Sequence, residues 1–172
     1  MHNGLDLLDN FKLTVREDAS HFNGAVASIV RDDFEKWATS AVLEENDRTG
    51  PVNVMARSPR YNFCLFIDEE AMRSVVDLAP PLEELDTTNQ GWVKLILRDF
   101  KEVLEAQSRP LDPVLDGDFV EELFEPLEGC IYEDVGWMKI PYQFVMTSTY
   151  LRLVDWNAWH TIYCRPPEIA EL

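Results

Sequence analysis

Apolar positions recur along the chain with two different periods. Between Ala25 and Asn46, Ile29, Val30, Phe34, Trp37, Ala41 and Val42 fall at steps of three and four, while Asp32, Glu35 and Lys36 occupy the opposite side. That stripe predicts an amphipathic helix ending before Thr49, Gly50 and Pro51, where a glycine followed by a proline does not continue a helix. Ahead of it, Phe11, Leu13 and Val15 alternate with Lys12, Thr14 and Arg16, a period of two that predicts a short strand. Asn62–Ile67 is a compact apolar run, and Asp68 after it is placed to cap a helix from Glu69 to about Leu78, with Met72, Val75 and Val76 turned inward. Pro80 and Pro81 stop that helix, and Gly91 introduces Trp92–Leu97, a further strand. Gly136–Ile140 predicts another strand. Pro141 suits the first turn of a helix whose apolar side is Phe144, Val145, Leu151 and Val154, and Trp159–Cys164 completes the set as a last strand.

These elements give strand, helix, strand and then strand, helix, strand. The reading is a single α+β domain over residues 1–172, with a mixed or antiparallel sheet, helices on one face, and the ferredoxin-like split order as one candidate topology. Residues 1–50 form a strand-and-helix extension and residues 101–135 a loop-rich insertion, with Pro110, Pro113, Gly117, Pro126 and Gly129 marking turns. Gly91-Trp92-Val93-Lys94 is echoed by Gly136-Trp137-Met138-Lys139, on the second and third strands of that order. Four residues are too few to indicate a duplicated domain. A hydrophobic fraction of 46% and five tryptophans support a folded core, and no run approaches the roughly 18 apolar residues that a spanning helix needs.

Charge changes the picture. The formal net charge is −17, and the stretch from Lys101 to Val135 holds eleven carboxylates against Lys101 and Arg109. Such a run repels nucleic acid and attracts cationic surfaces. Basic residues elsewhere are dispersed, with Arg57 and Arg60 the nearest approach to a cluster, so direct nucleic-acid binding is not expected. Met1–Arg16 lacks a basic start followed by an apolar run, and Cys64, Cys130 and Cys164 are odd in number and widely spaced. Both observations fit an intracellular, cytoplasmic or nuclear protein with reduced thiols.

Little in the chain carries reaction chemistry. Asp112, Asp116, Asp118, Glu121 and Glu122 surround Gly117 with oxygen donors, but their spacing supplies only fragments of a helix-loop-helix calcium loop, so a solvated acidic face is the preferred reading and no metal is assigned. The glycines form no phosphate-cradling loop, so no cofactor is implied, and no nucleophile motif accompanies His2, His21 or His160. His160 with Asp155 and Tyr163, bordered by Trp137 and Trp159, is the remaining arrangement that could line a polar pocket.

At Glu133-Asp134-Val135-Gly136-Trp137-Met138-Lys139 and Arg165-Pro166-Pro167-Glu168-Ile169, the chain resembles a set of uncharacterised fungal proteins that end in an acidic-GWM segment, a helix and an RPPE-type tail. The resemblance implies a fungal source and carries no activity to any residue. The sequence therefore favours a non-catalytic interaction protein that docks on a basic protein surface through Asp116, Asp118, Glu121, Glu122 and Glu125, with Phe119, Leu123 and Phe124 as apolar anchors. The alternative is a small-molecule-binding protein or small enzyme with an aromatic-lined pocket at Trp137, Asp155, Trp159 and His160.

Overall fold

The computed structural model describes residues 13–45, 58–81, 84, 90–101, 124–155 and 157–171. In chain order they form α1 (Ala19–Phe22), α2 (Ala27–Glu45), α3 (Pro59–Asn62), β1 (Phe63–Phe66), α4 (Glu69–Arg73) running on into a π-helical turn Ser74–Leu78, β2 (Trp92–Leu97) and β3 (Trp137–Pro141). After β3 come a 3₁₀ turn Tyr142–Phe144, a π turn Val145–Thr149, α5 (Tyr150–Arg152) and α6 (Ala158–Ile162). The architecture is α+β, built on a three-stranded antiparallel sheet in the order β1-β2-β3. No described helix is long and apolar enough to cross a membrane.

Strand side chains alternate between faces, so β2 splits its six buried residues between two cores. Val93, Leu95 and Leu97 join Met138, Ile140, Leu153, Trp159 and Ile162 on one side. On the other, Ile96 and Trp137 pack with Phe66 against Ala27 and Val30 of α2. The second half of α2 buries Ala38, Ala41 and Val42 against Tyr61 of α3, with Trp37 stacked on the Tyr61 ring at 6.3 Å. Helical segments thus cover both faces of the sheet, not one. A central strand buried on both faces reads as a continuous apolar run, which is why Trp92–Leu97 stands out in the sequence.

Several predicted elements differ. Residues 13–18 carry no regular structure, and Leu13 and Val15 are exposed rather than pressed into a sheet; Phe11 and Lys12 of that predicted strand lie outside the described residues. In α4 and its π turn the inward residues are Ala71 and Ser74, while Met72 and Val76 face solvent. The Ser74 hydroxyl receives the Trp92 backbone N–H at 3.0 Å and donates to Ala71 O at 2.7 Å, with Trp92 O farther off at 3.2 Å, so a polar contact sets the rotation of this segment. Leu151 and Val154 are likewise exposed, and Leu153 takes the core position. Trp159–Cys164 is mainly helix, because a strand there would discard the i to i+4 bond from Tyr163 N–H to Trp159 O, which forms at 2.8 Å. The direct antiparallel pairing of β1 with β2 is a meander; in the ferredoxin-like split order the helix would connect parallel strands. On the outer side of β3 the chain returns at the end: Ala170 N–H donates to Lys139 O at 2.9 Å, and Ile169 bridges Lys139 in parallel.

The four-residue echo in the sequence has a geometric meaning. In the β2–β3 register Lys94 stands opposite Lys139, Trp92 opposite Pro141 and Ile96 opposite Trp137. Each lysine therefore lies diagonal to the tryptophan of the other strand, within reach of a long side chain. Lys139 Nζ sits 3.9 Å from the centre of the Trp92 ring and Lys94 Nζ 4.7 Å from that of Trp137. Both lysines are buried, and two like charges directly opposite on a sheet oppose its closure. The ring faces offset part of this, each contact contributing about 1 kcal/mol or somewhat more when desolvated. Two carboxylates at the start of α4 supply the rest: Asp68 reaches Lys94 Nζ at 2.8 Å and Glu70 reaches Lys139 Nζ at 3.1 Å. Glu70 is two-thirds exposed, so the Asp68 pair carries the larger energy.

Asp68 also caps α4, its Oδ1 accepting the Ala71 N–H at 2.9 Å. Burial pushes this carboxyl upward, but the hydrogen bonds from Lys94 and Ala71 and the Lys94 charge outweigh it, holding Asp68 below its ordinary 3.8. A group titrating lower in the folded chain stabilises fully above its unfolded-chain value and loses that contribution as pH falls through the folded value. Asp68→Asn should therefore flatten the acid limb of stability below about pH 4, read from urea midpoints across pH. Asp68→Ala should cost about 3 kcal/mol by combining a lost cap with an unpaired buried ammonium. Adding Lys94→Met to Asp68→Ala should recover part of that loss in urea unfolding; a double variant as unstable as the sum of the singles would contradict the coupling.

Candidate docking surface at the base of the acidic segment

The described C-terminal part of the acidic stretch is a small hairpin. Leu127 and Cys130 exchange backbone hydrogen bonds at 3.0 Å in each direction, and Phe124 N–H donates to Ile131 O at 2.8 Å. Between them Glu128 and Gly129 both have positive φ, 50° and 85°. Positive φ at both central residues is the requirement of a type I′ hairpin turn. Gly129 meets it at no steric cost, whereas Glu128 is an unusual occupant. Its carboxylate has a use: Oε2 accepts the Ala27 N–H at 2.9 Å, placing a negative charge on the first turn of α2. The hairpin is thereby tied to a helix far away in sequence.

A second tie comes from the C-terminal segment. Arg165 lies against the hairpin with its guanidinium over the Phe124 ring, 5.1 Å from the centre. Its Nη2 donates to Glu125 O at 2.8 Å and, more weakly, to Cys130 O at 3.4 Å; its Nη1 donates to Glu133 O at 3.0 Å and to Tyr132 O. One planar fork thus holds carbonyls from both arms of the hairpin, a task its fixed array of donors allows and a lysine does not match. Tyr163 adds to the grip, its hydroxyl donating to Glu133 O at 2.8 Å and accepting the Val135 N–H at 3.0 Å. Burial raises the Tyr163 phenol well above its ordinary value, so it stays protonated and able to donate.

Next along the chain, the buried Asp134 accepts from Gly136 N–H at 2.7 Å and from Trp159 Nε1 at 2.8 Å. Gly136 itself has φ 73°, and a Cβ there would overlap the Phe100 ring and lie 2.6 Å from Arg31 Nη2. Arg31, buried on α2, donates Nε to Leu97 O at 2.8 Å and Nη2 to Gly136 O at 3.0 Å, and lies over the Phe100 ring. The hairpin therefore hangs from a rigid junction at the start of β3. Three of its carboxylates, Glu125, Glu128 and Glu133, belong to exposed residues, and Glu128 is the one spent on α2.

Of the residues singled out from sequence, Phe124 and Glu125 come together under Arg165. Asp116, Asp118, Phe119, Glu121, Glu122 and Leu123 lie outside the described residues. The four residues suggested as a pocket separate. Trp137 packs with α2 on one face of the sheet, and Trp159 belongs to the core of the other. Asp155 is an exposed turn residue whose Oδ1 accepts the Asn157 N–H at 3.0 Å, and His160 is exposed on α6. Two open depressions among the described residues lie elsewhere. One of about 390 Å³ is bordered by Arg16, Glu17, Asp18, His21, Phe22 and Asp33; the other, of about 650 Å³, runs along the outer side of α2 beside Lys101. Both are open and neither is lined by a tryptophan. No group of three metal-ligating side chains occurs among the described residues.

Residue order does not single out Arg165 or Asp134 as functional, includes Glu128 only as one member of the acidic run, and suggests a pocket for Tyr163 in place of the hairpin contact found. Arg165 and Asp134 stand in plain view within the Arg165-Pro166-Pro167 and Asp134-Val135-Gly136 motifs, but most of their partners are backbone groups, which leave no pattern in residue types. No protein-family model, curated protein or solved structure matches this chain.

Asp134→Ala should leave the Gly136 N–H and the Trp159 Nε1–H without acceptors and cost about 3 kcal/mol in chemical denaturation. In the Asp134→Ala background, Trp159→Phe should cost measurably less than it does alone, because the two residues share one hydrogen bond; strict additivity would show that the bond contributes nothing.

Proposed function

We propose that this protein is an acidic, non-catalytic interaction module of the cell interior that docks on a basic surface of a protein partner. The observation that carries the reading is the clamped hairpin: Glu125 and Glu133 are exposed on a backbone held by Arg165, while Trp92, Trp137 and Trp159 are consumed in packing. A pre-ordered backbone lowers the entropy lost on association, and carboxylates at a rim act chiefly on encounter rate and partner choice. The remaining carboxylates of the stretch, Asp116, Asp118, Glu121 and Glu122, belong to the same reading on the strength of sequence alone. Phe124 is already occupied by Arg165, so recognition here rests more on charge than on that apolar anchor. The small-molecule alternative loses its support with the separation of Trp137, Trp159, Asp155 and His160.

The test is a pull-down from native extract with the full chain as bait, at low and at physiological ionic strength. A partner retained at low salt should weaken roughly tenfold as the Debye length shrinks. The triple reversal Glu121→Lys, Glu122→Lys and Glu125→Lys should abolish its recovery. Recovery of the same partner by the reversed chain, or binding indifferent to salt, would overturn the docking reading.

A further inference from the structure

The last described segment makes two attachments at once. At one end Tyr163 and Arg165 hold the hairpin through the carbonyls of Glu125, Cys130, Tyr132 and Glu133 and the N–H of Val135. At the other end Ala170 N–H bonds to Lys139 O and Ile169 bridges Lys139, closing the outer side of β3. Only a few residues separate the two, among them Pro166 and Pro167, whose rings fix φ and leave the connection little freedom to absorb movement at one end. Pro166 and Ala170 are both buried, so the connection is packed down at each of its ends while Pro167 and Glu168 between them are exposed. A short, stiff, doubly anchored segment opens as a unit: when one anchor is lost, the ordering of the other loses its support.

We infer that Tyr163–Ala170 is a strap that makes the acidic hairpin and the outer side of β3 open and close together. Arg165 is its positioning residue at the hairpin end, and the Ala170–Lys139 hydrogen bond is its fastening at the sheet. Because coupling free energy is reciprocal, loosening the hairpin must loosen Ala170 to the same degree that loosening Ala170 loosens the hairpin. The inference stands independently of the docking reading. If both hold, a ligand that favours the closed hairpin also favours the closed edge of the sheet.

Amide hydrogen exchange on the full chain tests this. The reporters are the Phe124 and Val135 amides in the hairpin, the Ala170 amide at the fastening, and the Leu95 amide in the centre of the sheet. Arg165→Lys keeps the charge but not the fork, and should raise exchange at Phe124, Val135 and Ala170 together by about tenfold, with Leu95 unchanged. Ala170→Pro, which removes the donor at the fastening, should raise exchange at Phe124 and Val135 by a similar factor. Tyr163→Phe offers a milder release at the hairpin end should either variant fold poorly. Faster exchange confined to the altered end in these variants would overturn the strap, as would an equal rise at Leu95, which would report general destabilisation.

Discussion

Two buried ammonium groups face each other across the middle of the sheet, and much of the molecule is arranged to make that tolerable. Lys94 and Lys139 occupy opposed positions in the β2–β3 register, where like charges work against pairing. Their Nζ atoms are answered by Asp68 and Glu70 and lie over the faces of Trp137 and Trp92. For Asp68 to reach Lys94, α4 must begin where β1 ends, and for the helix to stay against the sheet Ser74 must meet the backbone of Trp92. The order of charge compensation thus fixes the angle at which α4 leaves β1. Well-packed apolar residues in place of a largely buried pair such as Asp68 and Lys94 are often neutral or stabilising, so the ionic pair is costly stabilisation. The cluster's effect is on register: a one-residue slip of β3 against β2 would carry Lys139 to the other face, away from Glu70 and from the Trp92 ring.

The same economy governs the rest of the positive charge. The chain has fifteen Lys and Arg against thirty-two Asp and Glu, and several of the cations are turned inward. Arg31 is buried with its guanidinium on the carbonyls of Leu97 and Gly136, and desolvation pushes its proton affinity below the ordinary value. Arg165 is spent on backbone carbonyls and a phenyl ring, and the two sheet lysines are buried. Among the described residues three cations, Arg31, Lys94 and Lys139, are buried against one carboxylate, Asp134, so the charge these residues leave exposed is shifted toward negative.

How legible an element is in residue order depends on how that element is stabilised. The long amphipathic α2, the doubly buried β2 and the capped start of α4 all declare themselves, because periodicity, apolar runs and a capping aspartate are properties of adjacent residues. The α+β class can be read from them. Rotation of short helices cannot: Met72 and Val76 looked like core positions by composition, yet a serine bonded to the backbone of β2 decides which side of α4 turns inward. The final predicted strand failed for a related reason, since Trp159, Ile162 and Tyr163 suit a strand and a helix equally, and Trp159 finds its hydrogen-bond partner in Asp134 only from α6. The tryptophan–lysine echo was legible as a repeat, but its purpose needed the antiparallel register. The clamp on the hairpin was hidden because arginine gripping main-chain carbonyls leaves no complementary residue to find.

Arg31 closes the β2–β3 hairpin from outside, by joining the last carbonyl of β2 to the one preceding β3, while Leu97 N–H meets Gly136 O beside it. In most hairpins that junction is made by the connecting turn, whose length and residue types are then tightly restricted. Here a side chain from another element does the joining, and the entropic cost of a longer connection rises only with the logarithm of its length. The junction of β2 with β3 therefore does not depend on a tight connecting turn. That gives residues 102–123, ahead of the hairpin, licence to lengthen, shorten or exchange their residues over evolutionary time while β2 and β3 keep their register.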